Sequence, residues 1–284
     1  MGQRRSIAGC RMLITGASQG IGRALALEAA RQGAKVMAAA RSDELLAELA
    51  REAQAVGHPL FTVRADVTES ADRQKMAEEC VRQMGGLDVL INNAGIGATG
   101  HFVEASPERL RQIMEVNLFG LTETTRACLP LLRRGNRPAV VNISSIAAKR
   151  GIPARSEYSA SKFAVQGFSE ALRSELAAEG IDVLVVNPGL TQTNFSQNMI
   201  EQKAKQPMDH LRGMTAEAVA RAVLRAVERG AHDTTLTLKG KLLALVSRLL
   251  PRLADRIAAR RVRALFRDEI AERRRRRLAG EVEP

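Results

Sequence analysis

The chain has 284 residues and a formal net charge of +12; 45% of its residues are hydrophobic and only 3% aromatic. That length accommodates one large α/β domain or two small ones, with a core that must be aliphatic. Three widely spaced cysteines, Cys10, Cys80 and Cys128, show no CxxC and no cysteine–histidine cluster. This argues against a disulfide framework or a zinc site, and for a reducing, cytoplasmic compartment. No apolar stretch precedes the first strand and no run of 18 apolar residues occurs, so neither a secretory signal nor a spanning helix is expected. The charge is uneven: Lys241 to Pro284 holds 13 Lys/Arg against 6 Asp/Glu, so most of the excess belongs to the tail.

In chain order, Arg11–Thr15 reads as a strand, followed by a glycine-rich turn and a helix from about Ile21 to Gln32. Lys35–Ala40 is a second strand, and Ser42–Gly57 a helix with Leu45, Leu46 and Leu49 on one side. Leu60–Ala65 reads as a third strand, followed by a helix from Ser70 to Met84, and Val89–Asn92 as a fourth. Ala139–Ile143 and Asp182–Asn187 are further strands, separated by helices near Pro107–Leu132 and Glu157–Glu179. Such alternation predicts βαβ crossovers and a doubly wound parallel sheet with helices on both faces, an α/β fold. The near-continuous apolar runs Val140-Val141 and Val183-Leu184-Val185-Val186 fit strands buried on both sides.

The segment Thr15-Gly16-Ala17-Ser18-Gln19-Gly20-Ile21-Gly22 lies between a predicted strand and a predicted helix. Small residues there let backbone N–H groups and a helix N-terminus approach a pyrophosphate, and this is the setting such a motif needs. At the end of the second strand, an acidic residue would bind a ribose 2′-hydroxyl, whereas an arginine accommodates a 2′-phosphate. The chain reads Ala38-Ala39-Ala40-Arg41-Ser42, with no carboxylate until Asp43. Arg41 suits a phosphate monoester, with Ser42 or Ser18 as hydroxyl donors, so NADP is expected over NAD. An arginine that is merely solvated, or that stacks on adenine, is the alternative.

Tyr158 is the one tyrosine of the chain and stands four residues before Lys162, one helical turn apart on the same side. A phenol that exchanges protons near neutrality starts with a pKa of about 10, and a cation beside it favours the phenolate. The alternative is an exposed tyrosine and a solvated lysine.

Taken in order, these motifs resemble the short-chain dehydrogenase/reductase family in its single-domain form. Thr15–Gly22 is similar to the family's glycine loop, and Asp66 to the acidic residue that contacts adenine. Asn92-Asn93-Ala94-Gly95 matches the Asn-Asn-Ala-Gly motif after the fourth strand, and Asn117 the family's helix asparagine. Ser145 stands 13 positions before Tyr158, as the family's serine does. Asn187-Pro188-Gly189 matches the Pro-Gly turn, and Thr193 the threonine that holds the nicotinamide amide, with Thr191 as second choice.

The resemblance, which covers about residues 8–235, implies a Rossmann-type catalytic domain over residues 8–239 with a lid at about 194–213; the basic amphipathic helical tail over 240–284 departs from the family's usual ending. Gly16, Ser18, Gly20, Ile21, Gly22, Arg41 and Asp66 would hold the adenosine and phosphate half of the cofactor. Asn93, Ala94 and Gly95 would brace the strand end and pass close to it, and Pro188 and Gly189 would meet its nicotinamide end. Tyr158 would act as general acid or base, and Lys162 would stabilise the phenolate and bond the nicotinamide ribose. Ser145, rather than Ser144, would donate to the substrate oxygen, and Asn117 would anchor a water that resupplies protons. The expected reaction is NADP(H)-dependent interconversion of a ketone or aldehyde and an alcohol, without metal and in the direction of reduction. The alternatives are an NAD-dependent secondary-alcohol dehydrogenase, or a nucleotide-binding interaction protein recruited through its basic tail. Helices near 107–132 and 157–179 would pair subunits into a homodimer or homotetramer.

On the substrate side, Asn194–Gly213 carries Phe195, Met199, Ile200 and Met208, which fit a lid over an apolar substrate or simple packing on the domain. Lys149, Arg150 and Arg155 are placed to meet an anionic group or solvent. In the tail, Leu242, Leu243, Leu245, Val246, Leu249, Leu250, Leu253 and Ile257 recur at helical spacing, with Pro251 dividing two helices. Arg248, Arg252, Arg256 and Arg260 form a row of four-residue spacing on another face. Such a segment packs on the body or a partner subunit, or lies on an anionic membrane. Arg273–Arg277 reads as a frayed charge run, and no nucleic-acid partner is expected.

Overall fold

The computed structural model describes residues 4–204 and 213–278. Its centre is one sheet of seven parallel strands: β1 (Arg11–Thr15), β2 (Lys35–Ala40), β3 (Phe61–Arg64), β4 (Val89–Asn92), β5 (Ala139–Ile143), β6 (Asp182–Asn187) and β7 (Asp233–Thr235). They lie in the order β7-β6-β5-β4-β1-β2-β3. The crossovers are α1 (Gly20–Arg31), α2 (Asp43–Ala55), α3 (Ser70–Met84), α4 (Pro107–Met114), α5 (Leu121–Leu132), α6 (Ser156–Leu176) and α7 (Ala216–Arg229). A π-helical turn, Glu115–Gly120, joins α4 to α5.

The strands are apolar throughout because both faces of the sheet are covered. Successive side chains of β1 separate accordingly: Met12 and Ile14 enter one buried layer with Leu25, Val141 and Val223. Leu13, one residue on, enters the opposite layer with Met37, Leu90, Val140 and Leu176. The chain crosses to β2 on one side of β1 and returns to β4 on the other, so the crossovers diverge between β1 and β4 and leave a crevice at their carboxyl ends.

The predicted strands and helices form, with boundaries shifted by one or two residues at β3, α1 and α2; the helix read to Glu179 ends at Leu176, with a 3-10 turn over Ala177–Glu179. Two elements were not read from the sequence. The helix α7 packs Val219, Val223, Leu224 and Val227 into the first layer. Strand β7 is only Asp233-Thr234-Thr235, a polar triplet whose strand character comes from pairing with β6 and not from its side chains. Among its described residues the lid has a 3-10 turn, Asn194–Ser196, and is strapped by two short ladders, Ala98–Thr99 with Glu201–Gln202 and Thr191–Gln192 with Met214–Thr215. Met208 lies outside the described residues.

The tail forms three helices where two were read: α8 (Leu238–Leu249), α9 (Pro251–Leu265) and α10 (Arg267–Leu278), so the backbone of the run expected to fray, Arg273–Arg277, is helical. Thr237 caps α8 by accepting from the Gly240 N–H at 3.0 Å, and Pro251 opens α9, where its missing N–H costs nothing. The division at Pro251 splits the arginine row, leaving Arg248 on α8 and the other three on α9. The tail folds back on the body. Phe266 is 1% exposed and meets the His101 ring edge-on at 4.8 Å. His101 Nε2 lies 2.9 Å from Glu269 Oε2, and Arg150 pairs with Asp255 at 2.6 Å.

At the amino ends of the central strands, Asp88 ties β1 to β4. Its carboxylate accepts from the Arg11 backbone N–H at 2.9 Å, from Nε at 3.0 Å and Nη2 at 2.6 Å, and from the Asn136 N–H at 2.7 Å. Burial alone would raise its pKa, but these hydrogen bonds outweigh it and hold the carboxyl below the usual range. A depressed carboxylate contributes stability that is present above its unfolded pKa of about 3.9 and lost as pH falls through the folded value. Asp88→Asn is therefore expected to lower stability at neutral pH by about 2–4 kcal/mol. It should also flatten the acid-side decline, which urea melts at a series of pH values would record.

Candidate active site

The loop between β1 and α1 is shaped by backbone contact. Gly16 sits at φ +66°, and a Cβ there would lie 2.8 Å from the Ala94 Cα. A Cβ on Gly22 would lie 2.2 Å from the Gly16 carbonyl oxygen, so Gly22 is a packing residue behind the loop and does not line the cleft. Thr15 Oγ1 accepts from the Asn93 and Ala94 N–H groups, both at 3.1 Å. Asn93 Nδ2 donates back to the Thr15 and Gly16 carbonyls at 3.0 and 3.1 Å. These contacts fix the mouth of the crevice. The first turn of α1 has no side-chain cap and no acidic residue, so its N–H groups and the positive end of its dipole are available to an anion. That uncapped end, beside a loop whose glycines let it pack against the Asn93–Ala94 segment, fits a pyrophosphate.

At the adenosine end, Arg41 is 72% exposed and lies 3.8 Å from the Asp66 carboxylate. Asp66 Oδ1 also accepts from the Thr68 N–H and hydroxyl, at 3.0 and 2.8 Å. Ser42 Oγ accepts from the Leu45 N–H at 3.3 Å as the cap of α2, leaving its own proton to donate. Asp43, two residues after Arg41, is turned to Arg64 at 3.7 Å.

The catalytic candidates converge where α6 crosses the end of β5. Tyr158 is buried, and the Ser145 hydroxyl lines the same cleft. Ser144, one residue earlier, points away and donates to the Lys162 carbonyl at 3.3 Å. Lys162 Nζ donates to the Ile143 carbonyl at 3.0 Å and stands 5.8 Å from the Tyr158 ring centroid. Burial pushes its pKa down to about 8. Burial raises that of Tyr158, and the opposing influences are the Ser145 side chain and the Arg155 guanidinium. The expectation that Lys162 is the cation lowering the phenol pKa is thus corrected: in this cleft desolvation outweighs the neighbouring positive charge.

Asn117 is fully buried behind the cleft wall, in the π-helical turn. Its Nδ2 donates to the Ile96 carbonyl and to Ser161 Oγ, both at 2.9 Å, and its Oδ1 accepts from the Ile96 N–H at 2.8 Å. The side-chain amide therefore braces the segment after β4 against α6. Thr193 lies over Gly20, within 3.3 Å of where a Cβ would stand, and accepts from the Phe195 N–H at 3.3 Å. Thr191 donates to the Gly189 carbonyl at 3.3 Å. Both threonines line the cleft, with Gly16, Ser18, Gly20, Ile21, Arg41, Asp66, Asn93, Ala94, Gly95, Ser145, Tyr158, Lys162, Pro188 and Gly189.

The whole cleft measures about 1450 Å³ and extends beyond these residues beneath the lid and the tail. Phe195 packs on Tyr158 with ring centroids 5.9 Å apart, and Met199 and Met214 continue the apolar wall. Leu243, Val246, Val262 and Phe266 of the tail complete it. These tail residues were missed as site residues: their periodicity marked a helix face, but nothing local named the surface it covers. Two of the three basic residues expected to face a ligand are otherwise engaged. Lys149 pairs with Asp233 at 2.6 Å, and Arg150 holds the tail through Asp255. Arg155 does line the cleft, buried, with its guanidinium pKa lowered by desolvation. A further pair was not anticipated: buried Arg109 grips Glu157, the neighbour of Tyr158, at 2.6 Å and the lid residue Glu201 at 3.2 Å.

Comparison with known proteins agrees with this geometry. Residues 11–204 match the sequence profile of short chain dehydrogenases. An uncharacterized oxidoreductase, YxnA of Bacillus subtilis, is 35% identical over 92% of this chain and 74% of its own length. A short chain dehydrogenase from Burkholderia cenocepacia solved with NADP superposes with a TM-score of 0.75 at 31% identity, over 88% of this chain and 97% of that one. A short chain dehydrogenase/reductase from Burkholderia phymatum solved with NAD shares the fold with a TM-score of 0.80, at 24% identity over 88% of this chain and 96% of that one. With the glycine loop, the serine–tyrosine–lysine cluster and these matches in agreement, the chain belongs to the short-chain dehydrogenase/reductase family of oxidoreductases.

Proposed function

We propose that the protein is an NADP(H)-dependent carbonyl reductase acting on an apolar ketone or aldehyde. It works in the reducing cytoplasm as a homodimer or homotetramer, with its tail against a membrane surface. The observation that carries the catalytic reading is the convergence of Ser145, buried Tyr158 and the buried Lys162 ammonium in the same cleft as the uncapped end of α1. Bound along that cleft, a nicotinamide cofactor would supply the hydride. Gly16, Ser18, Gly20 and Ile21 would hold its phosphates, with Gly22 shaping the loop behind them. Arg41 and Ser42 would take the 2′-phosphate, and Asp66 the adenine. Pro188, Gly189 and one of Thr191 and Thr193 would hold the carboxamide end, with Asn93, Ala94 and Gly95 alongside.

Tyr158 gives its proton to the substrate oxygen, and Ser145 donates a second hydrogen bond to that oxygen and fixes its distance from the phenol. Lys162, with a pKa near the working pH, replaces the proton that Tyr158 loses, and Asn117 anchors the water that connects it to solvent. In the oxidative direction the same groups run in reverse. The apolar wall of Phe195, Met199, Met214, Leu243 and Phe266 supports a hydrophobic substrate. Phe119 and Phe163 are 50% and 45% exposed; they lie on the two helical segments expected to pair subunits, which supports assembly there. A second reading, NAD-dependent oxidation of a secondary alcohol, is favoured by one observation: Asp66 stands 3.8 Å from Arg41, where a carboxylate opposes a phosphate.

Three measurements test this. Tyr158→Phe should reduce carbonyl reduction, followed as NADPH absorbance, by roughly 100-fold or more while NADPH still binds; unchanged turnover would remove Tyr158 as the acid. Titrating NADPH against NADH for wild type and Arg41→Ala decides the cofactor, the expected result being a loss of about tenfold or more in NADPH preference. Lys162→Met tests the buried charge. Because the folded pKa of about 8 lies below the ordinary lysine value, the burial penalty is complete below pH 8 and fades as pH rises. Below that pH the variant should gain about 1–2 kcal/mol in denaturant melts while losing turnover.

A further inference from the structure

The helix α8 has two apolar stripes. Leu243 and Val246 face inward and line the cleft. Leu238, Leu242, Leu245 and Leu249, spaced by four, three and four residues, share another stripe. They are 83%, 62%, 54% and 65% exposed. Leu250 and Leu253 extend this surface across the turn at Pro251, with exposures of 52% and 45%. The outer leucines contribute nothing to docking the tail, which rests instead on Phe266, Ala254 and the contacts of His101 and Arg150. Contiguous exposed aliphatic surface of this kind marks an interaction site.

The charges around the stripe identify the occupant. Lys241, Arg248, Arg252, Arg256, Arg260 and Arg263 are all exposed, while two of the tail's carboxylates, Asp255 and Glu269, turn to Arg150 and His101 of the body. The surface therefore offers leucines within a basic rim. A second copy fits poorly, because a two-fold pairing of this face sets Arg248 and Arg252 near their own counterparts. No helix among the described residues is long and apolar enough to cross a membrane; a short apolar stripe flanked by arginines lies instead in the headgroup boundary. We propose that the outer face of α8, with the start of α9, docks on an anionic membrane surface, its leucines entering the lipid and its arginines meeting lipid phosphates. The inner face of the same helix walls the cleft, so docking brings the bilayer beside the apolar end of the site. The binding step rests on the tail alone and not on the catalytic reading.

Vesicle flotation of the full chain tests it. The protein should float with phosphatidylcholine vesicles containing phosphatidylglycerol, float little with phosphatidylcholine alone, and detach as salt is raised past about 0.5 M. Leu242→Ser, Leu245→Ser and Leu249→Ser combined should cut the floated fraction by about tenfold, with NADPH binding and the thermal midpoint unchanged. A separate Arg248→Glu, Arg252→Glu variant should lose the response to phosphatidylglycerol. The proposal is overturned if wild type stays unbound with anionic vesicles, or if both variants float like wild type. It is also overturned if light scattering shows that the leucine variant only converts an oligomer to monomers, without any vesicle binding by wild type. Turnover of a water-soluble carbonyl compound, read in parallel, should be the same for wild type and the leucine variant. Its absence in both would count against the reductase reading and leave the docking result standing.

Discussion

Lys162 carries its ammonium into the end of an aliphatic parallel sheet, and much of the candidate site is arranged around that one charge. The ammonium hydrogen-bonds the Ile143 carbonyl, a group available because β5 ends there and its ladder stops. A Cβ on Gly95 would stand 3.6 Å from the ammonium, in ordinary contact, and 3.2 Å from Asn117 Oδ1, so the chain after β4 passes close to both. Holding Lys162 in place leaves Tyr158 one turn earlier, beside Ser145 at the other edge of the strand end. A cation kept away from water favours proton release near neutrality. The structure spends folding stability on a group that is useful because it is held reluctantly.

How far the amino-acid sequence reveals this architecture depends on whether the determinant is local. The strands β1, β2, β4, β5 and β6 are read at their observed limits because each is an apolar run bounded by turn residues. Strand β7 is not, since Asp233-Thr234-Thr235 becomes a strand only through its partner β6. The glycine loop and the serine–tyrosine–lysine set are legible for a related reason: steric exclusion of Cβ atoms and a four-residue helical spacing leave direct marks on the sequence. The partners of Lys149 and Arg150 leave none, because Asp233 and Asp255 are distant in the chain. The balance of burial against neighbouring charge at Tyr158 is likewise a property of the assembled cleft.

The tail shows the same division. Its periodicity and the break at Pro251 are visible in the residues, yet the helix carries two apolar stripes, and periodicity alone does not say which one meets the body. Gly240 settles part of it: a Cβ there would lie 3.2 Å from the Ile146 side chain and 2.8 Å from Thr237 Oγ1. The close approach of that glycine sets the start of α8 against the loop after β5 and turns Leu243 and Val246 inward.

The guanidinium of Arg109 reaches carboxylates on two different parts of the chain, Glu157 beside the phenol and Glu201 on the strap of the lid. Lifting the lid would strip one of these counter-ions from a group that is 3% exposed and leave it paired with Glu157 alone. A motion of the Glu201 strap works against an ion pair anchored one residue from Tyr158.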